Sequence, residues 1–527
     1  MSFKKASKRR QEMSKLFYGK LSFFLLLTGC LLLVVNLCIP GVAQADKLKV
    51  ATPGDLINVD PAVASTPNDR SVIHQVFDGL FEFDLAGEAP YKPVPRLVEK
   101  YEISADGKNI KLQLRQGVQF HHGYGEMTSD DVLFSLKRHL DPKGRSRAAA
   151  QLADVASIEA LDKYTVMIAL KVPSSISLIR CLAWQSAGFI LSRKANDKLG
   201  DKTSSTPIGT GPYYFDRWDA GEKIVLKKFE QYWGKPGNFD SIEFWVVPEE
   251  TVALGALERG DLDAVPVTQA GSLLRAKMIK NIDILAASGN AFHYQIWPQH
   301  NNKPMDDIRV RKALAHALDL KGISERLGVQ AWPSPLPSAV FSATDEFWKY
   351  EYDIKKAKQL LAEAGYPNGF QLRLIYSKAY LYEELALELA NCWKQVVDVK
   401  LDVIERAVYY NKLRAGDVGQ HIAITAVTRF APFLYSQFFV SGGPRNYGRY
   451  SNPKVDEAML KAKVATSEEE SLKWWREFQR ILIEDLGSYY PGTQKSLAAI
   501  SQDIGGVVVT PYLALMDLRN AYRKSGK

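Results

Sequence analysis

At 527 residues, with 46% hydrophobic, 24% charged and 11% aromatic positions, the chain is too long for one core and reads as globular, neither disordered nor membrane-embedded throughout. The formal charge of +9 suggests an acidic partner, but Lys4, Lys5, Lys8, Arg9, Arg10, Lys15 and Lys20 supply most of it. Without residues 1–45, 61 cations face 58 anions, which leaves no compositional case for nucleic-acid binding.

That basic start precedes Leu21 to Pro40, an apolar run ending at Ala43-Gln44-Ala45, a small-x-small site before Asp46. Basic, apolar, then A-x-A is an export signal, cut after Ala45. The run is also long enough, at about 20 residues, to remain as a bilayer anchor. A third reading takes Leu27-Thr28-Gly29-Cys30 as a lipoprotein box, although Cys30 is followed by LLLVVN where a polar tether is expected.

Further on, Leu48 to Thr52 before Pro53-Gly54 reads as a strand and turn. Asp106-Gly107 is turn chemistry, and Ile110, Leu112 and Leu114 alternate with Lys111, Gln113 and Arg115 as in a half-buried strand. Thr128 and Asp131 form a capping box, Asp being shorter than the usual Glu, for a helix with Val132, Leu133 and Leu136 on one face. Tyr164, Val166, Ile168 and Leu170 alternate again. In Pro207 to Trp218, PIGTGPYYFDRW, Gly209 and Gly211 allow close backbone approach and Pro212 fixes the entry to a strand. No Lys-Ser/Thr follows, so this is not a phosphate loop. Asp306 or Asp307 caps a helix carrying Val310, Ala313, Leu314, Ala317 and Leu318. Asp353 opens another, whose Ala357, Leu360, Leu361 and Ala364 form a stripe ended by Gly365. A Leu- and Ala-rich helix, Tyr382 to Trp393, leads to a strand from Val399 to Ile404. This alternation argues for an α/β lobe, and the lack of tandem repeats for interleaved domains.

Catalytic signatures are missing: there is no G-x-S-x-G, H-E-x-x-H, C-x-x-C or Walker loop. His121-His122 lies in a strand-like segment, where neighbours point to opposite faces and chelate one ion poorly, so a surface or structural role is expected. Cys181 and Cys392, in apolar surroundings without metal-spaced neighbours, read as buried free thiols.

The order P-x-L-x-E at Pro95, S-x-D-G at Ser104, L-R-x-G-V-x-F-H-x-G at Leu114 and D-V-x-F-S-L-x-R at Asp131 resembles the extracellular solute-binding proteins of family 5, the oligopeptide, dipeptide and nickel type. The likeness continues at Asn58 to Pro61, Phe77 to Leu80, Ile158 to Val166, Pro207 to Trp218, Tyr232 to Gly234, Asp306 to Leu314 and Tyr450 to Pro453, and so covers the mature chain. It implies an α/β, two-lobed periplasmic binding protein of type II, cluster C-like, with an extra small α+β domain. Residues 1–45 would be the signal peptide, 46–80, 206–288 and 497–527 the first lobe, 81–205 its small extra domain, and 289–496 the second lobe. The family usually has Asp where His122 stands.

Peptide binders of the family hold the peptide's free amine with an Asp in a G-W-x-x-D-Y segment. The corresponding stretch is Ile424 to Arg429, with Thr428 at the acidic position, Thr425 at the tryptophan position and Arg429 following. Arg406 stands where peptide binders often carry a pocket tryptophan, and Arg145 and Arg147 where some offer a tyrosine. Ser65 and Thr66 fall where a first-lobe loop faces the ligand. An anion replaced by guanidinium groups implies a carboxylate-bearing or otherwise anionic solute. The implied function is that of a monomeric substrate-binding protein of an ABC importer, without cofactor, delivering its guest to a permease and ATPase complex. The alternatives are a peptide or metal-chelate receptor of the same family and, in a different class, an exported hydrolase on the same scaffold.

Overall fold

The computed structural model describes residues 45–527 apart from Ser65, 86–90, Arg145, Arg147, Trp184, 379–380, 418–421, 429–431, 512–514 and 525–527, and the side chains of all the residues it describes except 185–186, 426–428, 432–434 and 436. The two-lobed α/β class expected from the sequence is what the structure has. Its first lobe is built on a seven-stranded sheet in the order Tyr213–Asp219, Lys223–Lys228, Ser241–Val246, Lys47–Thr52, Ala264–Val267, Leu497–Ser501 and Ile282–Ala286. Lys47–Thr52 lies centrally, parallel to its neighbours on both sides. Leu48 and Val50 join one apolar cluster with Val72, Val76 and Phe77, while Ala51 joins another with Leu254 and Leu257. Apolar layers on both faces are what a sheet with a parallel centre requires.

The small domain is an antiparallel sheet, in the order Val98–Ile103, Asn109–Leu114, Thr165–Leu170 and Val155–Asp162. Ile110, Leu112, Leu114, Val166 and Ile168 are fully buried, each side chain contributing about 1.5–3 kcal/mol. Helix Ser129–Leu140 adds Val132 and Leu136 to the same core. Its cap works despite the short acid: the Asp131 carboxylate accepts the Thr128 backbone N–H at 2.9 Å and that of Arg193 at 2.9 Å.

The second lobe is centred on a five-stranded sheet, Asp398–Val403, Gln371–Tyr376, Ile422–Thr428, Phe292–Pro298 and Tyr489–Gln494. One face packs against Val310, Leu314, Leu361 and Leu385, the other against Tyr409, Phe438, Trp475 and Phe478. The helices Ile308–His316, Ile354–Glu363 and Tyr382–Trp393 therefore carry the stripes read from the sequence. Asp307 and Asp353 are their caps where caps were expected.

Family-signature residues turn out to be the fasteners between these parts. Asp78, fully buried, accepts hydrogen bonds from Arg96 Nε (3.2 Å) and the Tyr232 hydroxyl (3.1 Å) on one oxygen. Its other oxygen takes the Thr210 hydroxyl (3.2 Å) and the Trp233 indole N–H (2.9 Å). His121 also belongs to this joint, and the strand-like placement expected of it is corrected. His121–Gly123 is a single 3-10 turn after the strand Gln119–Phe120, and His122 has φ 56°. The buried His121 ring donates from Nε2 to the Gly211 carbonyl (2.9 Å) and accepts the Gly209 N–H at Nδ1 (3.4 Å). Burial lowers its pKa to about 3, so it works as a neutral clamp. A Cβ at Gly209 would lie 2.2 Å from the Val76 carbonyl oxygen and one at Gly211 2.6 Å from that of Gln75, which is why this loop needs glycine. Cys181 and Cys392 are buried, free thiols in different lobes.

Candidate functional site: the carboxyl edges around the hinge

Strand register alone locates the cleft. In the second lobe Gln371–Tyr376 runs parallel to both Asp398–Val403 and Ile422–Thr428, so Tyr376, Val403 and Thr428 end on one edge. Phe292–Pro298 is antiparallel to Ile422–Thr428, which puts Phe292 beside Thr428, and Gln494 pairs with Phe292 in turn. In the first lobe, Thr52 and Val246 end together, and Val267 and Ala286 both pair with Leu497. The two chain crossings between lobes, from Ala286 to Phe292 and from Gln494 to Leu497, therefore join the carboxyl edges of both sheets. In open α/β sheets that edge is where guests bind.

Hydrogen bonds brace the crossings. The Gln494 side-chain amide donates to the Thr268 carbonyl of the first lobe (2.6 Å) and accepts from the Tyr294 hydroxyl (2.8 Å). Asn290 accepts the Ser496 N–H (3.1 Å) and donates to Gln330 (2.7 Å). These residues carried no signal in the sequence, because each bond joins segments remote along the chain.

On the first-lobe edge the nearby acids are already occupied. Asp69 accepts the backbone N–H groups of Ile57 (2.8 Å) and Thr66 (3.1 Å), and Asp60 pairs with Arg138. Glu250 accepts the Thr268 N–H at 3.0 Å. Thr66 is the N-cap of helix Pro67–Val76 in a reciprocal box with Asp69, a structural duty that the sequence reading missed.

On the second-lobe edge Arg406 opens helix Arg406–Ala415, exposed at the helix's positive end. Glu405 caps the helix through the N–H groups of Ala407 and Val408, and Asp402 pairs with Arg373. Thr428 lies at the strand end beside Phe292. Thr425 is buried in the sheet, three residues short of the edge, and accepts the Trp297 indole N–H at 2.7 Å. Ser65, Arg145, Arg147 and Arg429 lie outside the described residues.

The sheet face that holds Trp297 has a second unforeseen property. His293, Gln295, Tyr490 and Thr493 are buried there, and both His293 ring nitrogens, Gln295 Oε1 and the hydroxyls of Tyr490 and Thr493 have no hydrogen-bond partner among the described residues. Gln295 Nε2 does reach the Pro335 carbonyl (3.1 Å), and the Tyr490 ring stacks on His293 at 5.9 Å between centroids. Burial lowers the His293 pKa to about 3; the Trp332 backbone opposes the shift without meeting hydrogen-bond geometry. These are uncharged donors and acceptors ready for polar partners. Among the described residues no group of three or more His, Cys, Asp or Glu side chains is placed to hold a metal ion.

Two sheets, two hinge crossings and a cleft framed by carboxyl edges define a two-lobed solute-binding protein. The family comparison is specific: the description "Bacterial extracellular solute-binding proteins, family 5 Middle" matches residues 92–446, and the chain belongs to that family. It is the substrate-binding component of an ABC importer, and the family is one of transport proteins rather than enzymes. The chain is 28% identical over 490 residues to the glutathione-binding protein GsiB of Pectobacterium atrosepticum, covering 89% of this chain and 93% of that one. HbpA2 from Haemophilus parasuis superposes with a TM-score of 0.82 at 23% identity, over 91% of this chain and 100% of that one. MoaA from A. tumefaciens R10, in complex with mannopinic acid, gives 0.74 at 25%, over 92% and 100%. No helix among the described residues is long and apolar enough to cross a membrane; the basic and apolar stretch expected to be an export signal lies outside them.

Proposed function

We propose that the chain, exported and cut after Ala45, works in the periplasm as a monomer that captures a carboxylate-bearing or otherwise anionic small solute and hands it to a permease and ATPase complex. The single observation that carries the charge preference is Arg406, on the carboxyl edge at a positive helix end, with Thr428 on the same edge where peptide binders keep an acid. Arg429 and Arg147 join Arg406 as anion contacts, with Thr428, Ser65 and Thr66 as hydrogen-bond donors and Thr425 setting the orientation of Trp297. The unpartnered groups of His293, Gln295 and Tyr490 supply neutral contacts to the rest of the guest. One relative supports an acid as guest, since MoaA holds mannopinic acid. In the corresponding division of the chain, residues 46–80, 206–288 and 497–527 form the first lobe, 81–205 its small domain and 289–496 the second lobe.

The test is the melting temperature of the mature protein against a panel of small carboxylates and of dipeptides. Carboxylates raise it and dipeptides do not. The reverse ranking overturns the anion preference in favour of a peptide receptor, and mass spectrometry of whatever co-purifies identifies the guest.

A further inference from the structure

The small domain is tied by chain to the first lobe, yet one of its helices reaches across to the second. In helix Ser175–Leu182, Arg180 points a 6%-exposed guanidinium at lobe two, where Nη2 meets Glu468 Oε1 at 3.0 Å. Its guanidinium carbon lies 3.6 Å from the centroid of the Phe341 ring, and Nη1 reaches back to the Tyr91 carbonyl of its own side at 3.4 Å. A second ion pair joins Lys463 to Asp154 at 2.8 Å, and the Ser177 hydroxyl donates to the Lys463 carbonyl at 3.2 Å. Gly107 closes the contact, since a Cβ there would stand 3.2 Å from Thr466. Apart from Phe341, the second-lobe partners named here lie in 463–468, the turn between helices Pro453–Val464 and Glu468–Glu484. A crevice of about 530 Å³ lined by Tyr101, Ile103, Arg180 and Glu468 flanks it.

We infer that the small domain is a latch on lobe closure, with Arg180 the residue that positions the second lobe. Arginine suits the role because it cannot neutralise, stacks on an aromatic ring and still donates to a carboxylate. Parting the lobes removes Phe341 and Glu468 from Arg180 at once while leaving it the Tyr91 carbonyl, so the latch opens without stranding a buried charge. The Phe341 segment also touches the hinge, where the Ala339 N–H donates to the Asn290 carbonyl at 3.2 Å. Release at Arg180 is therefore felt where the lobes pivot.

The experiment uses the solute-free mature protein with spin labels on cysteines at two exposed positions, Lys235→Cys in the first lobe and Lys355→Cys in the second. Interlobe distances are read by double electron–electron resonance. Charge-assisted hydrogen bonds of this kind predict that Arg180→Ala lowers the population at the docked distance relative to wider ones by about tenfold to a hundredfold. Arg180→Glu does the same, and Arg180→Glu combined with Glu468→Arg restores part of the docked population, which a merely structural role of Arg180 would not predict. Asp154→Ala gives a smaller shift. Distance distributions for Arg180→Ala and Arg180→Glu that superimpose on wild type overturn the latch. They leave the anion reading intact, because no solute is present.

Discussion

Asp78→Asn is the sharpest test of how the signature residues hold the chain together. The substitution keeps the shape but turns one of two acceptor oxygens into an NH2 group. Either Arg96 Nε or the Trp233 indole, each able only to donate, then faces another donor. Removing one partner of a buried ion pair costs about 3–5 kcal/mol. Here Arg96 keeps another anion, Glu82 at 3.4 Å, so the low end, about 3 kcal/mol, is expected. The assay is urea unfolding followed by tryptophan fluorescence, since Trp233 reports from the joint itself. The exposed Glu99→Gln serves as a control that leaves the midpoint unchanged. An Asp78→Asn loss below about 1 kcal/mol refutes the idea that this carboxylate joins the small domain to the first lobe.

Acid should destabilise the protein through its buried histidines. His121 and His293 have folded pKa values of about 3, below the ordinary 6.5 or so of the unfolded chain. The unfolded state binds more protons between those limits, so this stability is complete above about pH 6.5 and is lost as pH falls towards 3. At pH 5 each histidine removes about 2 kcal/mol; melting temperatures measured from pH 7.5 to 5 must fall, and a flat or rising profile rejects the neutral clamp. Gly209→Ala forces a Cβ to 2.2 Å from a backbone oxygen, so a loss of about 1–3 kcal/mol or poor soluble yield is expected, and wild-type stability in denaturant titration contradicts the packing at this loop. Arg406→Ala should weaken carboxylate binding about tenfold or more by calorimetry, whereas unchanged affinity removes Arg406 from the site.

Much of the local structure was written in short-range pattern. The alternation from Ile110 to Leu114, the stripe from Ala357 to Leu361 and the caps at Thr128, Asp307 and Asp353 all became the elements they suggest, because a strand or a helix selects its buried face within a few residues. The class of protein was legible through long gapped signatures such as Leu114 to Gly123 and Pro207 to Trp218. One of the same residues misled where its placement was inferred from position: His121 reads as half of a strand pair but is a turn residue inserted between two glycines almost ninety positions away.

The sequence by itself determined much of the secondary structure and the family, because each depends on residues near one another in the chain. Only the tertiary structure decided that Asp78 gathers four donors from three segments, that Gln494 and Asn290 brace the crossings, and that Arg180 reaches Glu468 nearly three hundred residues on. Such contacts have no local pattern to betray them. They exist because two sheets pack with their carboxyl edges around one hinge, and that register is set by the folded chain as a whole.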